Sequence, residues 1–92
     1  MNKIFKQPIA TDTATVQSFS WEGKGSPISV GLDCDDNPCI WYINNEGTAP
    51  FTRQIKVCGT GDDAPPSADW WYLGTLKEPP CIWHVFIKRI RE

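Results

Sequence analysis

The sequence predicts an all-β fold: a small single-domain antiparallel barrel or sandwich of about six to seven short strands. Apolar and polar residues alternate with a period of two along most of the chain, which is the pattern of half-buried strands. Clusters of turn-forming residues separate these segments about every eight to twelve residues, as they do in small all-β domains. No segment repeats apolar residues at three- and four-residue spacing, so no surface helix is expected.

Two strands are predicted near the N-terminus, Lys3–Ile9 and Thr13–Trp21. In the second segment the apolar residues Val16, Phe19 and Trp21 do not keep a period of two. An extra residue in one strand of an antiparallel pair would restore the alternation. A β-bulge is therefore expected in the second strand.

A β-hairpin is predicted for the next two segments, Ile28–Cys34 and Cys39–Asn45. The first segment alternates cleanly, and its apolar residues share one face: Ile28, Val30, Leu32 and Cys34. The intervening residues Asp35–Pro38 are of the types that favour turns. Two strand-like segments joined by so short a turn are expected to pair side by side.

Three further strands are predicted in the C-terminal half, at Phe51–Cys58, Trp70–Leu76 and Cys81–Ile87. The loop Gly59–Ser67 separates the first two, and Lys77–Pro80 separates the last two. The final strand carries apolar residues on both faces, and such a strand is normally covered on both sides. A homo-oligomer is therefore expected, with this strand or Trp70–Tyr72 in the interface.

Composition limits the classes of function that the chain is expected to have. A chain of 92 residues forms one domain, which is predicted to span residues 1–92. Its formal net charge of −2 argues against general nucleic-acid binding, which usually needs a basic face. No apolar run is long enough for a secretory signal or a membrane span, so a cytoplasmic location with reduced cysteines is expected.

No metal and no other cofactor is expected. Cys34 and Cys39 flank a four-residue turn, whereas Cys58 and Cys81 stand alone and only one histidine is present. This spacing is a poor match to the paired ligands of structural zinc sites, although Cys34 and Cys39 remain the alternative metal ligands. Cys39 and Cys81 are expected to be buried as small apolar side chains.

The chain offers few residues for catalysis, so a non-enzymatic protein is expected. His84 is the only histidine, and no serine stands in a nucleophile motif. The paired carboxylates Asp35–Asp36 and Asp62–Asp63 lie in predicted turns, where aspartate bonds its own backbone. His84 is expected to be buried or interfacial; a pairing with Cys58 in space is the catalytic alternative.

Arg53 is the first candidate for ligand binding because it shares the apolar face of its strand with Ile55. A buried arginine is normally paired. Arg53 is therefore expected either to pair with an acidic residue or to line a cavity and bind an anion through its planar guanidinium. His84, Lys88 and Arg89 would add positive charge to such a cavity.

Glycines and tryptophans supply the other candidates. The run Gly59, Thr60, Gly61 closes a strand. It is interpreted either as a tight turn or as a loop whose backbone amides bind an anion. Trp71 and Trp83 are candidate stacking surfaces for a nucleobase, with core or interface positions as the alternative.

Five short blocks occur in order along the sequence: Lys3–Ile9, Pro38–Trp41, Gly59–Gly61, Tyr72–Thr75 and Trp83–Phe86. In their order and spacing they resemble a family of small β proteins encoded by phages and prophages. The resemblance spans nearly the whole chain and carries no catalytic residue set. Family members often have a histidine after the Gly-Thr-Gly run, where this chain has Asp62. The resemblance implies a viral accessory protein that neutralises a protein or a small signalling molecule in the host cytoplasm.

These observations lead to the hypothesis of a non-enzymatic binding protein that counters host defence. It would sequester a small anionic nucleotide-type signalling molecule in pockets at subunit junctions. The predicted ligand-binding residues are Arg53, Gly59, Thr60, Gly61, Trp71, Trp83 and His84. Two alternatives stand beside it: a protein–protein inhibitor that uses the Asp62–Tyr72 segment, and a minor component of the virion or its assembly.

Overall fold

Seven strands in two antiparallel sheets make up the computed structural model, which describes residues 1–90 and contains no helix there. The strands are β1 (Asn2–Pro8), β2 (Gln17–Glu22), β3 (Pro27–Leu32), β4 (Pro38–Asn45), β5 (Pro50–Gly59), β6 (Trp70–Glu78) and β7 (Cys81–Lys88). One sheet has the order β1-β4-β3, and the other has the order β2-β5-β7-β6. The two sheets form a sandwich and do not close into a barrel. The all-β prediction is confirmed; Arg91 and Glu92 lie outside the described residues.

Six predicted strands agree with the observed ones to within two residues at each end, and β2 is the exception. It begins at Gln17 because the preceding segment folds as a turn, in which the Asp12 carboxylate accepts hydrogen bonds from Ala14 N and Thr15 Oγ1. The expected bulge in β2 is wrong, since β2 pairs with β5 in unbroken register. Val16 lies before the strand, so it does not have to follow the alternation of inward and outward side chains in β2.

The hairpin of β3 and β4 is confirmed, but two of its expected inward residues are not inward. A register irregularity between Pro27 and Ser29 leaves Ile28 half exposed, and Cys34 lies beyond the end of β3. Cys39 is buried as expected, whereas Cys81 is exposed because it starts β7 directly after a two-residue turn.

Acidic pH should destabilise the hairpin through Asp33. Its carboxylate accepts hydrogen bonds from Lys6 Nζ at 2.8 Å and from the backbone amides of Asn37 and Asp35. These contacts, with Lys6 contributing most, lower the pKa of Asp33 from 3.8 to about 2. Because the folded-state pKa is the lower one, the stabilisation is complete above about pH 4 and is lost as the pH falls towards 2.

We expect Asp33→Asn to be less stable than wild type at neutral pH and to lose less stability between pH 4 and pH 2. Urea denaturation across this pH range measures both effects. Asp63→Asn, the same chemical change in an exposed loop, should follow the wild-type profile. An Asp33→Asn profile parallel to that of wild type would contradict the assignment.

The core between the sheets is centred on Trp21, which is 1% exposed and stacks on Tyr42 with ring centroids 3.8 Å apart. The other fully buried apolar residues around it are Ile40, Ile55, Val57, Leu76, Val85 and Ile87. The alternation predicted for β5 is confirmed by Ile55 and Val57, and β7, predicted to be apolar on both faces, buries Val85 and Ile87 on its inner face. None of the described residues belongs to a helix long and apolar enough to cross a membrane.

Candidate functional site

Arg53 lies inside the sandwich with only 2% of its surface exposed. It occupies this position because side chains alternate along β5, which places Arg53 on the same face as the fully buried Ile55. Its Nη1 donates a hydrogen bond to the Gly25 carbonyl oxygen at 2.7 Å. The guanidinium lies 5.1 Å from the centroid of the Trp21 ring, within the range of a cation–π interaction.

The guanidinium of Arg53 has no carboxylate partner among residues 1–90, and its buried Nε has no hydrogen-bond partner. Burial lowers the pKa of Arg53, yet the group stays protonated because an arginine pKa starts so high. An unpaired buried charge is costly in free energy. Of the two expectations for Arg53, an acidic partner is therefore wrong for the described part of the chain.

A cavity of about 310 Å³ adjoins Arg53. Its lining residues come from four separate parts of the chain: Lys24, Gly25, Ser26, Pro27, Arg53, Trp71, Arg89 and Ile90. Three of these described lining residues are cationic, and none of them is acidic. Guanidinium groups beside an apolar indole are a combination that can bind an anion.

Arg89 and Trp71 both line this cavity and are in cation–π contact with each other. The Arg89 guanidinium lies 4.9 Å from the Trp71 ring centroid, and its Nε donates a hydrogen bond to the Ser67 carbonyl oxygen. The predicted contribution of Arg89 to the charge beside Arg53 is thus found. Lys88 lies instead over the Trp70 ring at 5.8 Å and does not line this cavity.

The Gly59–Gly61 run lies at the opposite end of β5 from Arg53. Gly59 is six positions after Arg53 on the extended strand, which is about 20 Å at 3.3 Å per residue. The Gly59 amide donates to the Asp62 carboxylate at 2.8 Å, and Gly61 adopts a φ of +98°. The run is therefore a closed turn whose first amide already has its acceptor.

His84 and Trp83 also lie at that far end. Thr60 Oγ1 is 2.9 Å from His84 Nε2, and Thr75 Oγ1 is 3.5 Å from His84 Nδ1. The Trp83 indole packs against the core and donates a hydrogen bond to Glu78. The prediction of one site is thus corrected: Arg53 and Trp71 share a cavity, and the other five predicted residues do not reach it.

A catalytic pair of Cys58 and His84 is not formed, although these residues face each other on β5 and β7. The Cys58 thiol lies 3.7 Å from the Asp63 carbonyl oxygen, and both ring nitrogens of His84 face threonine hydroxyls. Within residues 1–90, no cluster of three or more potential metal ligands occurs.

Five lining residues of the cavity were not predicted from the sequence: Lys24, Gly25, Ser26, Pro27 and Ile90. Lys24 and Gly25 are the two that bear most on Arg53. They belong to the short turn between β2 and β3, with Gly23 at a φ of +71°. A Cβ atom at Gly25 would lie 1.7 Å from the Ile43 carbonyl oxygen, so the loop approaches the β4 backbone closely. The signal in the sequence was a lysine between two glycines, which also occurs in ordinary turns.

One family of proteins matches this chain. Its description is "Domain of unknown function (DUF7352)", and the match covers residues 1–92. No curated protein and no solved structure matches the chain. Since the matching region is the whole sequence, the cavity, the Gly59–Gly61 turn and both sheets all lie within it. The chain belongs to the DUF7352 family.

Proposed function

We propose that this protein is a non-enzymatic binding protein that sequesters a small anionic nucleotide-type molecule in the cavity beside Arg53. One observation carries the proposal: an arginine only 2% exposed lines the cavity without a carboxylate partner among the described residues. An anion in the cavity would supply the missing negative charge and accept hydrogen bonds from the surrounding cations.

The biological role in this proposal is capture of a host signal in the host cytoplasm, as the resemblance to phage proteins implies. Capture needs only affinity and a sufficient number of sites, so a chain without catalytic machinery suffices for it. The two other cations of the cavity, Lys24 and Arg89, would steer an anion towards Arg53 and strengthen its binding.

The cost of burying Arg53 gives the proposal a clear test. Replacing a buried charge by an apolar side chain of similar volume is often neutral or stabilising. A residue kept for binding should therefore cost stability in the ligand-free protein. If Arg53 is instead kept for structure, it should stabilise the ligand-free protein, because its removal would break the contacts to Gly25 and Trp21.

We expect Arg53→Met to melt at the same temperature as the ligand-free wild type or higher, and to bind ligand at least about 100-fold more weakly. Thermal melting against cyclic oligonucleotides and ADP-ribose derivatives finds the ligand first. A ligand at 100 times its Kd stabilises the wild type by about 2.7 kcal/mol, which is roughly 11–22 °C for a domain of this size.

Lys56→Met is the matched control, since it makes the same change of charge on the opposite face of β5. It should keep the full ligand-induced shift. Arg53→Met with undiminished affinity would overturn the anion site. A panel without any responder would instead favour the inhibitor of a host protein, with the exposed Asp62–Tyr72 segment as its contact surface.

The proposal includes a homo-oligomer. Tyr72 and Ile82 are about half exposed, and the Phe86 ring lies 5.4 Å from that of Tyr72, so an apolar patch lies on the outer face of β6 and β7. Burial of such a patch against a second copy would be favourable. Sedimentation velocity tests this: a mass above 10.4 kDa supports the oligomer, and a monomer at all concentrations excludes it.

A further inference from the structure

A second cavity of about 350 Å³ adjoins the cationic one. The two cavities share three lining residues, Ser26, Pro27 and Trp71. The remaining lining residues of the second cavity are Ile28, Tyr72, Leu73 and Ile87, so none of its lining residues within 1–90 is charged. A cationic compartment and an apolar compartment therefore lie side by side.

Trp71 borders both compartments. On the cationic side it is covered by the Arg89 guanidinium, which does not line the apolar cavity. Trp71 is nevertheless 48% exposed, and it lines the apolar cavity together with Ile28, which is 50% exposed. Two large apolar side chains thus meet solvent next to a site for an anion.

We infer that the ligand has two chemically different parts: an anionic group bound in the cationic cavity, and a flat apolar ring that lies on Trp71 in the adjoining cavity. This inference rests on the anion site proposed above and assigns the position of the second part. A phosphate joined through a sugar to a planar base has this combination of properties. Bases stack on an indole whatever their identity.

The assignment selects Trp71 and leaves out Trp83. The Trp83 ring packs on the core and its indole nitrogen donates to Glu78, so this ring has its partners within the chain. Trp71 instead combines exposure, a cavity on its apolar side and cations within the same wall. The ring of the ligand would cover the exposed patch that the ligand-free chain leaves open.

A series of small ligands tests the inference with isothermal titration calorimetry. Ribose 5-phosphate carries the anion without a planar aromatic base, whereas AMP, GMP and UMP carry both. We expect at least one nucleotide to bind at least about tenfold more tightly than ribose 5-phosphate, since a stacked base contributes about 1–3 kcal/mol. Trp71→Ala and Ile28→Ser should reduce this ratio to about one, with the affinity for ribose 5-phosphate retained.

Val16→Ser is the control, because it removes a similarly exposed apolar side chain that lines neither cavity. It should keep the wild-type ratio. Equal binding of ribose 5-phosphate and all three nucleotides would overturn the ring site and leave the anion site standing. A high ratio that survives both Trp71→Ala and Ile28→Ser would also overturn it. Absence of binding by every compound would overturn the anion site and the inference together.

Discussion

Trp21→Ala is expected to lower the free energy of unfolding by about 3–5 kcal/mol, the range for loss of a large buried aromatic side chain. The indole is 1% exposed, stacks on Tyr42 and lies beneath the Arg53 guanidinium. Its removal leaves a void between the sheets and takes away the ring that covers a buried charge. A domain of this length has roughly 5–14 kcal/mol of total stability, so the loss would be a large part of it.

Urea denaturation followed by circular dichroism measures this loss through the transition midpoint. Trp71→Ala is the matched control, since Trp71 is about half exposed and its removal should cost less than about 1 kcal/mol. The free energies of unfolding of these two tryptophan variants should thus differ by several kilocalories per mole. Equal midpoints for the two variants would contradict the position of Trp21 at the centre of the core.

Gly25→Ala is expected to destabilise the protein by about 3 kcal/mol or more, because the added methyl group would collide with backbone. A Cβ at Gly25 would lie 1.7 Å from the Ile43 carbonyl oxygen. The β2–β3 loop would have to move away from β4, which breaks the hydrogen bond from Ile43 N to the Ser26 carbonyl oxygen. The contact of Gly25 with Arg53 would be lost in the same movement.

The matched control for this substitution is Gly31→Ala. There the nearest atom to the new Cβ is the ring edge of Trp41 at 3.3 Å, a side chain that can shift slightly. We expect a change below about 1.5 kcal/mol for Gly31→Ala. Thermal and urea unfolding of both variants measure the difference. A Gly25→Ala protein as stable as Gly31→Ala would mean that the loop does not approach β4 so closely.

Local sequence patterns predicted the strands well because a strand depends on alternation and on the turns at its ends. The run from Phe51 to Cys58 shows this, since its parity correctly placed Arg53 on the inward face. The pattern failed at Val16 and Ile28. At Val16 the pattern fails because the turn at Asp12 makes β2 begin later than predicted. At Ile28 it fails because a register irregularity next to Pro27 changes which side chains are buried.

The candidate site was harder to predict, because its residues come from positions far apart in the chain. Arg53 and Trp71 were both predicted to bind the ligand, and they line the same cavity. Gly59 and His84 were grouped with them on residue type alone, although the length of β5 puts them at the other end of the sheet. Residue type indicates which chemistry is available, and it does not indicate distance.

The class of fold, the bounds of most strands and the inward direction of Arg53 were all predictable from the sequence. Each depends on the alternation of apolar and polar residues that are close together in the chain. The pairing of β1 with β4 and of β2 with β5, and with it the set of loops around Arg53, became known only from the three-dimensional structure. Strand pairing across a long stretch of chain depends on the packing of both sheets together, and no local pattern specifies it.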